Sequence, residues 1–212
     1  MDHFTGMMAG YARRTNPADL ERHAGDLGVT ASSLSRLGAA WAGPYRAWAF
    51  PMKDVDNKTV GIRLRAEDGS KWAVSGSKQG LFRPIGQPGE GEPVLICEGP
   101  TDTAAMLDLG FFALGRPSCV GCDDTLATML KGVDAVIVSD FDEPKQRPDG
   151  TTWLPGKEGA EKLALALFRG RARSVKIIYP LVGKDARAWV QAGATADEVK
   201  VAIRAKMPWR PK

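Results

Sequence analysis

A chain of 212 residues is long enough to bury a real core, as one domain with an appendage or as two small ones. With 43% hydrophobic and 25% charged residues it is an ordinary globular composition, and a formal charge of +4 permits nucleic-acid binding without demanding it. No apolar run reaches the length of a membrane span, and Met1 to Gly10 lacks the charged start and apolar centre of a signal peptide, so the default expectation is a cytoplasmic protein.

In chain order, residues 1–40 read as an N-terminal helical segment. Asn16 is placed to cap a helix that starts on Pro17, carries Leu20, His23, Ala24 and Leu27 on one stripe and stops at Gly28. Thr30 caps a second helix with Leu34 and Leu37 inward and Gly38 closing it. On that stripe His23 reads as a packed side chain, not a ligand.

Residues 41–86 read as a small antiparallel unit. Strands are expected at Arg46 to Met52, Thr59 to Arg65 and Lys71 to Ser75, with Glu67 to Ser70 as an Asp-Gly hairpin turn. Alternation puts Arg63 and Arg65 on one face of their strand and Ile62 and Leu64 on the other. Lys71 follows across the hairpin and Lys78 lies close by in sequence. A basic face with Trp48 and Trp72 interleaved suits a phosphate backbone or a nucleoside triphosphate. The alternative for such residues is a plainly solvated face.

Gly86 to Pro93 is rich in Gly and Pro and marks a linker. Beyond it, over 93–206, strands and helices alternate. Strands are expected at 93–98, 111–114, 134–140 and 174–179, and helices at 101–109, 123–131, 158–169, 185–191 and 195–206. That alternation implies a parallel sheet flanked by helices, an α/β architecture. The stretch from Glu143 to Lys157 reads as a polar surface loop; its Lys145, Arg147, Trp153 and Lys157 could alternatively grip a triphosphate or a single strand. Cys119 and Cys122 have the spacing of half a zinc knuckle, yet no second pair exists and His3 and His23 lie far upstream. Cys97, inside an apolar strand, reads as a small core residue.

Two of these strands stop on acids: 93–98 at Glu98, and 134–140 at Asp140 followed by Asp142. In open α/β sheets ligands collect beyond the carboxyl ends of the strands. Two unit charges about 4 Å apart repel by on the order of 4 kcal/mol at an effective dielectric of 20, so three bare carboxylates gathered there call for a cation. An all-oxygen donor set favours magnesium, manganese or calcium over zinc. The competing reading is that the acids cap the helices that follow.

Glu98-Gly99 after an apolar strand, Asp102 at the start of the next helix, and Asp140-Phe141-Asp142 after a later strand resemble the two signatures of the TOPRIM domain of primases, topoisomerases and certain nucleases. Ala49 to Asp54, Val60 to Arg65, Lys71 and Gly80 to Phe82 are similar to the basic subdomain that precedes TOPRIM in primases of bacteria, phages and plasmids. Gly183-Lys184-Asp185 resembles a Lys-Asp motif found late in primase TOPRIM domains. The resemblance implies a TOPRIM domain preceded by a small mixed α+β basic subdomain. It implies metal-dependent nucleotidyl transfer, primer synthesis in DNA replication, with Mg2+ or Mn2+ as cofactor. Single-stranded DNA template and nucleoside triphosphates are the implied partners, a replicative helicase is a further one, and a mobile-element origin fits the same likeness. Asp140 and Asp142 would be metal ligands with Asp102 beside them, and Glu98 a further ligand or the general acid/base. Arg63, Arg65, Lys71, Lys78, Lys184 and Asp185 would contact nucleotide or DNA. No zinc-binding template-recognition domain or helicase-binding domain accompanies these motifs. The alternatives are a TOPRIM nuclease and an inactive nucleic-acid-binding accessory protein.

Overall fold

The computed structural model describes residues 3–147 and 149–211. Met1 and Asp2 of the expected helical segment, Pro148 of the expected polar loop and Lys212 lie outside the described residues.

Three helices come first: α1 (His3–Arg14), α2 (Pro17–Leu27) and α3 (Ala31–Arg36). The α2 and α3 caps form as their residue types predict. Asn16 accepts the amide of Ala18, Gly28 ends α2 at φ 66°, and Thr30 accepts the amide of Ser33. α1 is an addition to the expected pair; its apolar stripe is sparse, with Met8 and Tyr11 buried.

β1 (Ala40–Ala42), β2 (Ala47–Lys53), β3 (Thr59–Arg65) and β4 (Lys71–Ala73) then form an antiparallel sheet in chain order. The Asp-Gly turn closes the β3–β4 hairpin through Ala66 and Ser70. One face of this sheet, with Ala47, Ala49, Ile62 and Leu64, packs with Met8 and Tyr11 of α1. The opposite face is divided. On β2, Trp48, Phe50 and Met52 join the main core, whereas Arg63 and Arg65 of β3 stay only partly covered.

The second sheet is parallel, in the order β10-β7-β5-β6. Its strands and helices are β5 (Val94–Glu98), α4 (Gly99–Asp108), β6 (Ala113–Arg116), α5 (Asp123–Met129), β7 (Asp134–Val138), then α6 (Pro155–Arg169), β10 (Ser174–Ile178), α7 (Ala186–Gln191) and α8 (Ala196–Ala205). Between β7 and α6 the expected loop contains a two-stranded hairpin, β8 (Lys145–Gln146) and β9 (Thr152–Trp153). Arg147 pairs with Glu158 there and lies 5.3 Å over the ring of Trp153, so that ring face is already used.

Alternation along β5 and β7 shows why both strands are apolar throughout. Leu95, Cys97, Val136 and Val138 enter the core beneath α4, α7 and α8, while Val94, Ile96, Ala135 and Ile137 enter the core beneath α5 and α6. With both faces covered, side chains can reach a ligand only at the strand ends. From β5 the chain crosses through α4 to β6 on one side, then through α5 to β7 on the other. The carboxyl ends of β5 and β7 therefore flank the point where the connections diverge, the place where such sheets leave a crevice.

Segment 81–82 joins the two sheets. Leu81 exchanges both backbone hydrogen bonds with Lys53 at 2.8 Å, and Phe82 exchanges both with Gly115 at 2.9 Å. Phe82 is fully buried, worth about 1.5–3 kcal/mol of hydrophobic burial. This staple carries the basic strands up to the edge strand β6 and fixes them beside the crevice.

Candidate active site

β5 ends on Glu98, and α4 begins at once because Gly99 takes a φ of 81° that lets the backbone turn without a Cβ penalty. Glu98 occupies the cap position of α4, yet its side chain makes no capping bond. Its carboxylate instead lies close to the backbone of Cys119 and near Arg116, which β-pairing sets opposite it. One turn into α4, Asp102 is 8% exposed and accepts the amide of Arg187 at 2.9 Å.

After β7 the extended run stops at Val138, earlier than the expected Asp140, and the chain turns. The Phe141 amide donates to the carbonyl of Lys184 at 2.7 Å, which ties the Asp140–Asp142 turn to the loop carrying Lys184 and Asp185. Asp142 Oδ2 accepts the amide of Gly156 at 3.0 Å in the first turn of α6, so this acid does serve a helix start, from 14 residues away. A Cβ on Gly156 would press on the backbone carbonyl of Asp140. Asp185 caps α7 through the amide of Ala188 at 2.7 Å and also faces the cleft.

These acids line one wall of a cleft of about 350 Å³: Glu98, Asp102, Asp140, Asp142 and Asp185. Arg63, Arg65 and Lys71 from the antiparallel sheet line the other wall, and Lys184 stands at the rim with Asp185. Lys78 does not line it. After β4 the chain doubles back to hydrogen-bond Val60, and Lys78 is exposed outside the cleft. The aromatic residues expected among the basic ones are engaged elsewhere. Trp48 shares the face of Arg65 but is buried, stacked on His23 at 4.5 Å, and Trp72 is packed against the core beneath α1.

Charge in the cleft is strongly frustrated. Burial, then Asp102, Glu98 and the other carboxylates, push Asp140 up to about 8. Burial and Asp185 push Asp102 up, and burial pushes Glu98 up against the pull of Arg116. On the facing wall, burial and neighbouring guanidinium groups hold Lys71 and Arg65 below their usual values. Among the described residues, no three His, Cys, Asp or Glu side chains gather closely enough to hold one ion by themselves.

Two residues that contact or face the acids escape the sequence reading. Arg116 is 5% exposed, pairs with Asp123 at 3.2 Å and faces Glu98; the expected strand stopped at Leu114, which left Arg116 in the following loop. Arg187 ties Asp102 to the carbonyl of Leu27 in α2. It follows the Lys184-Asp185 motif by two residues, and the sequence assigns it no part.

No family model matches the chain, and no curated protein matches its sequence. Solved structures do match in fold. The zinc-binding and RNA polymerase domains of the Aquifex aeolicus primase align over 95% of this chain with a TM-score of 0.71 and 12% identity, and this chain spans 60% of that one. A primase catalytic domain bound to single-stranded DNA aligns over 96% of this chain and 77% of its own length, with a TM-score of 0.67 and 13% identity. The primase fragment of the bacteriophage T7 primase-helicase aligns over 84% and 71%, with a TM-score of 0.59 and 15% identity. No helix among the described residues is long and apolar enough to cross a membrane. The chain has the TOPRIM-type α/β fold of primase catalytic cores.

Proposed function

We propose that the protein is a metal-dependent nucleotidyltransferase that synthesises short primers on a single-stranded DNA template. One observation carries this reading: a crevice of five carboxylates and a strip of three basic side chains face each other across a single cleft, on a primase-core fold. A nucleoside triphosphate or a DNA backbone needs the basic wall, and phosphoryl chemistry needs the acidic one.

The donor set fits magnesium or manganese. It is all oxygen, and Asp140, pushed up to about 8 by burial and then by the neighbouring carboxylates, is a group whose ionised form a cation would favour. Because no three acids among the described residues converge on one point, each ion would take one or two carboxylates and complete its shell with phosphate oxygens and water, as magnesium commonly does. Asp140 and Asp142 would hold the ions, with Asp102 beside them. Bound there, the ions would lower the pKa of the attacking hydroxyl and neutralise charge on the leaving oxygens.

The chain's own groups do the rest. Arg63, Arg65, Lys71 and Lys184 bind phosphate oxygens, and Asp185 sets the loop that presents Lys184. Glu98, with Arg116 opposite it, would receive the proton of the 3′-hydroxyl or serve as a further ligand. In the reaction the hydroxyl oxygen bonds to the α-phosphorus, the α–β bridging bond breaks and pyrophosphate leaves with its electron pair.

Incubation with single-stranded DNA, labelled ribo- or deoxynucleotides and magnesium or manganese tests the reading. New short products are expected. Shortened DNA would indicate a nuclease, and binding without turnover an accessory protein; either overturns the proposal.

A further inference from the structure

A second concavity adjoins the cleft. Asp140 and Asp142 line both, but on their far side lies a recess of about 580 Å³ whose other walls include Phe141, Pro144, Leu154 and Tyr179. Phe141 sits between the two aspartates and is 69% exposed, so its ring is open to a flat ligand. Its backbone is fixed by the hydrogen bond to Lys184, so the ring is displayed from an anchored turn. Pro144, Leu154 and Tyr179 line the recess with it, and Glu143 and Lys157 add one charge of each sign.

We propose that this recess receives the base of a nucleotide whose phosphate lies over Asp140 and Asp142, with Phe141 as the stacking platform. The inference rests on the nucleotidyl-transfer reading and adds to it the site of the base. A nucleotide is a flat aromatic group joined to an anionic one, and here an aromatic recess meets a cation-demanding acidic pair across two side chains. The basic cleft offers no such exposed ring: Phe50 and Phe82 line it but are fully buried, and Trp48 and Trp72 are packed elsewhere. Stacking tolerates every base, so Phe141 would contribute affinity without sequence preference.

The test compares wild type with Phe141→Ala and Phe141→Trp, checked for equal melting temperature, in magnesium buffer. Binding is measured to ATP, to inorganic tripolyphosphate, to an oligothymidylate and to an abasic oligonucleotide of the same length. Phe141→Ala is expected to weaken ATP about tenfold and leave tripolyphosphate unchanged, with Phe141→Trp at wild-type affinity or tighter. The same loss on oligothymidylate but not on the abasic strand, with ATP unaffected, also supports the recess and makes the strand the source of the base. Equal affinities of wild type and Phe141→Ala for all four probes overturn it, as does an equal loss on tripolyphosphate. Wild type that binds neither ATP nor DNA overturns the nucleotidyl-transfer reading and the recess with it.

Discussion

The two sheets place their chemistry in different ways. In the parallel sheet both faces are buried, so Glu98, Asp140 and Asp142 can meet a ligand only where β5 and β7 end. In the antiparallel sheet one face is closed by α1 and the other is closed along β2 only, so β3 and β4 present Arg63, Arg65 and Lys71 along their length. The first arrangement makes a point site, where a single side chain decides everything. The second makes a track, where each residue adds a share. Their juxtaposition depends on the staple of Leu81 and Phe82.

The point site should break completely. Asp140→Ala is expected to lower primer synthesis at least about a thousandfold, because it removes charge stabilisation worth several kcal/mol, while single-stranded DNA binding on the other wall persists. Product gels and a binding titration on the same preparation check both halves. Retained synthesis would remove Asp140 from the metal site.

The parts of this comparison legible in the sequence were the local ones. Apolar runs ending on acids and a two-residue alternation of Arg63 and Arg65 each declare themselves within seven residues or fewer of their own strand. Caps at Asn16 and Thr30 are equally local. What stayed hidden depends on partners distant in the chain. Arg116 comes to the site because pairing of β6 with β5 sets it opposite Glu98, and Trp48 is closed off because α2 lays His23 on it. The end of β7 was placed two residues late, since the turn at Asp140 is imposed by Lys184 and by α6, neither visible from the run of apolar residues.

The closed part of the antiparallel sheet yields a pH prediction. Burial first, and Arg65 next, lower His23 to about 4 from its ordinary 6.5, and its Nε2 has no hydrogen-bond partner among the described residues. The unfolded chain therefore binds a proton more readily than the native one between pH 6.5 and 4. Stability from neutral His23 is complete above pH 6.5 and is lost as pH falls through 4. The loss is on the order of 3 kcal/mol. His23→Phe, which keeps an aromatic ring against Trp48, should flatten the His23 contribution to urea denaturation measured at pH 7, 5.5 and 4.5. An unchanged pH slope would show that His23 does not stay neutral in the fold.

Gly156→Ala probes the point site through its backbone. The added methyl has to push α6 away from the Asp140 carbonyl and the Asp142 carboxylate, an overpacking strain of about 1–3 kcal/mol. The expected outcome is a folded protein with a lower melting temperature and a larger fractional loss of synthesis than of DNA binding. Equal losses would mean that the helix start and the acid pair are not coupled.

The smallest effects belong to the track, and a pair of substitutions measures them. Arg65→Ala should weaken single-stranded DNA binding severalfold and reduce the slope of log affinity against log salt by about 0.7, the share of one phosphate contact on a single strand. Lys78→Ala removes the same formal charge from the same subunit of structure, but from a side chain outside the cleft. It is expected to change affinity by less than about twofold, within the usual range for an isolated surface charge. Equal slopes for the two variants would mean that DNA follows the basic residues of this unit as a general charged surface, and the cleft would lose its claim to be the track.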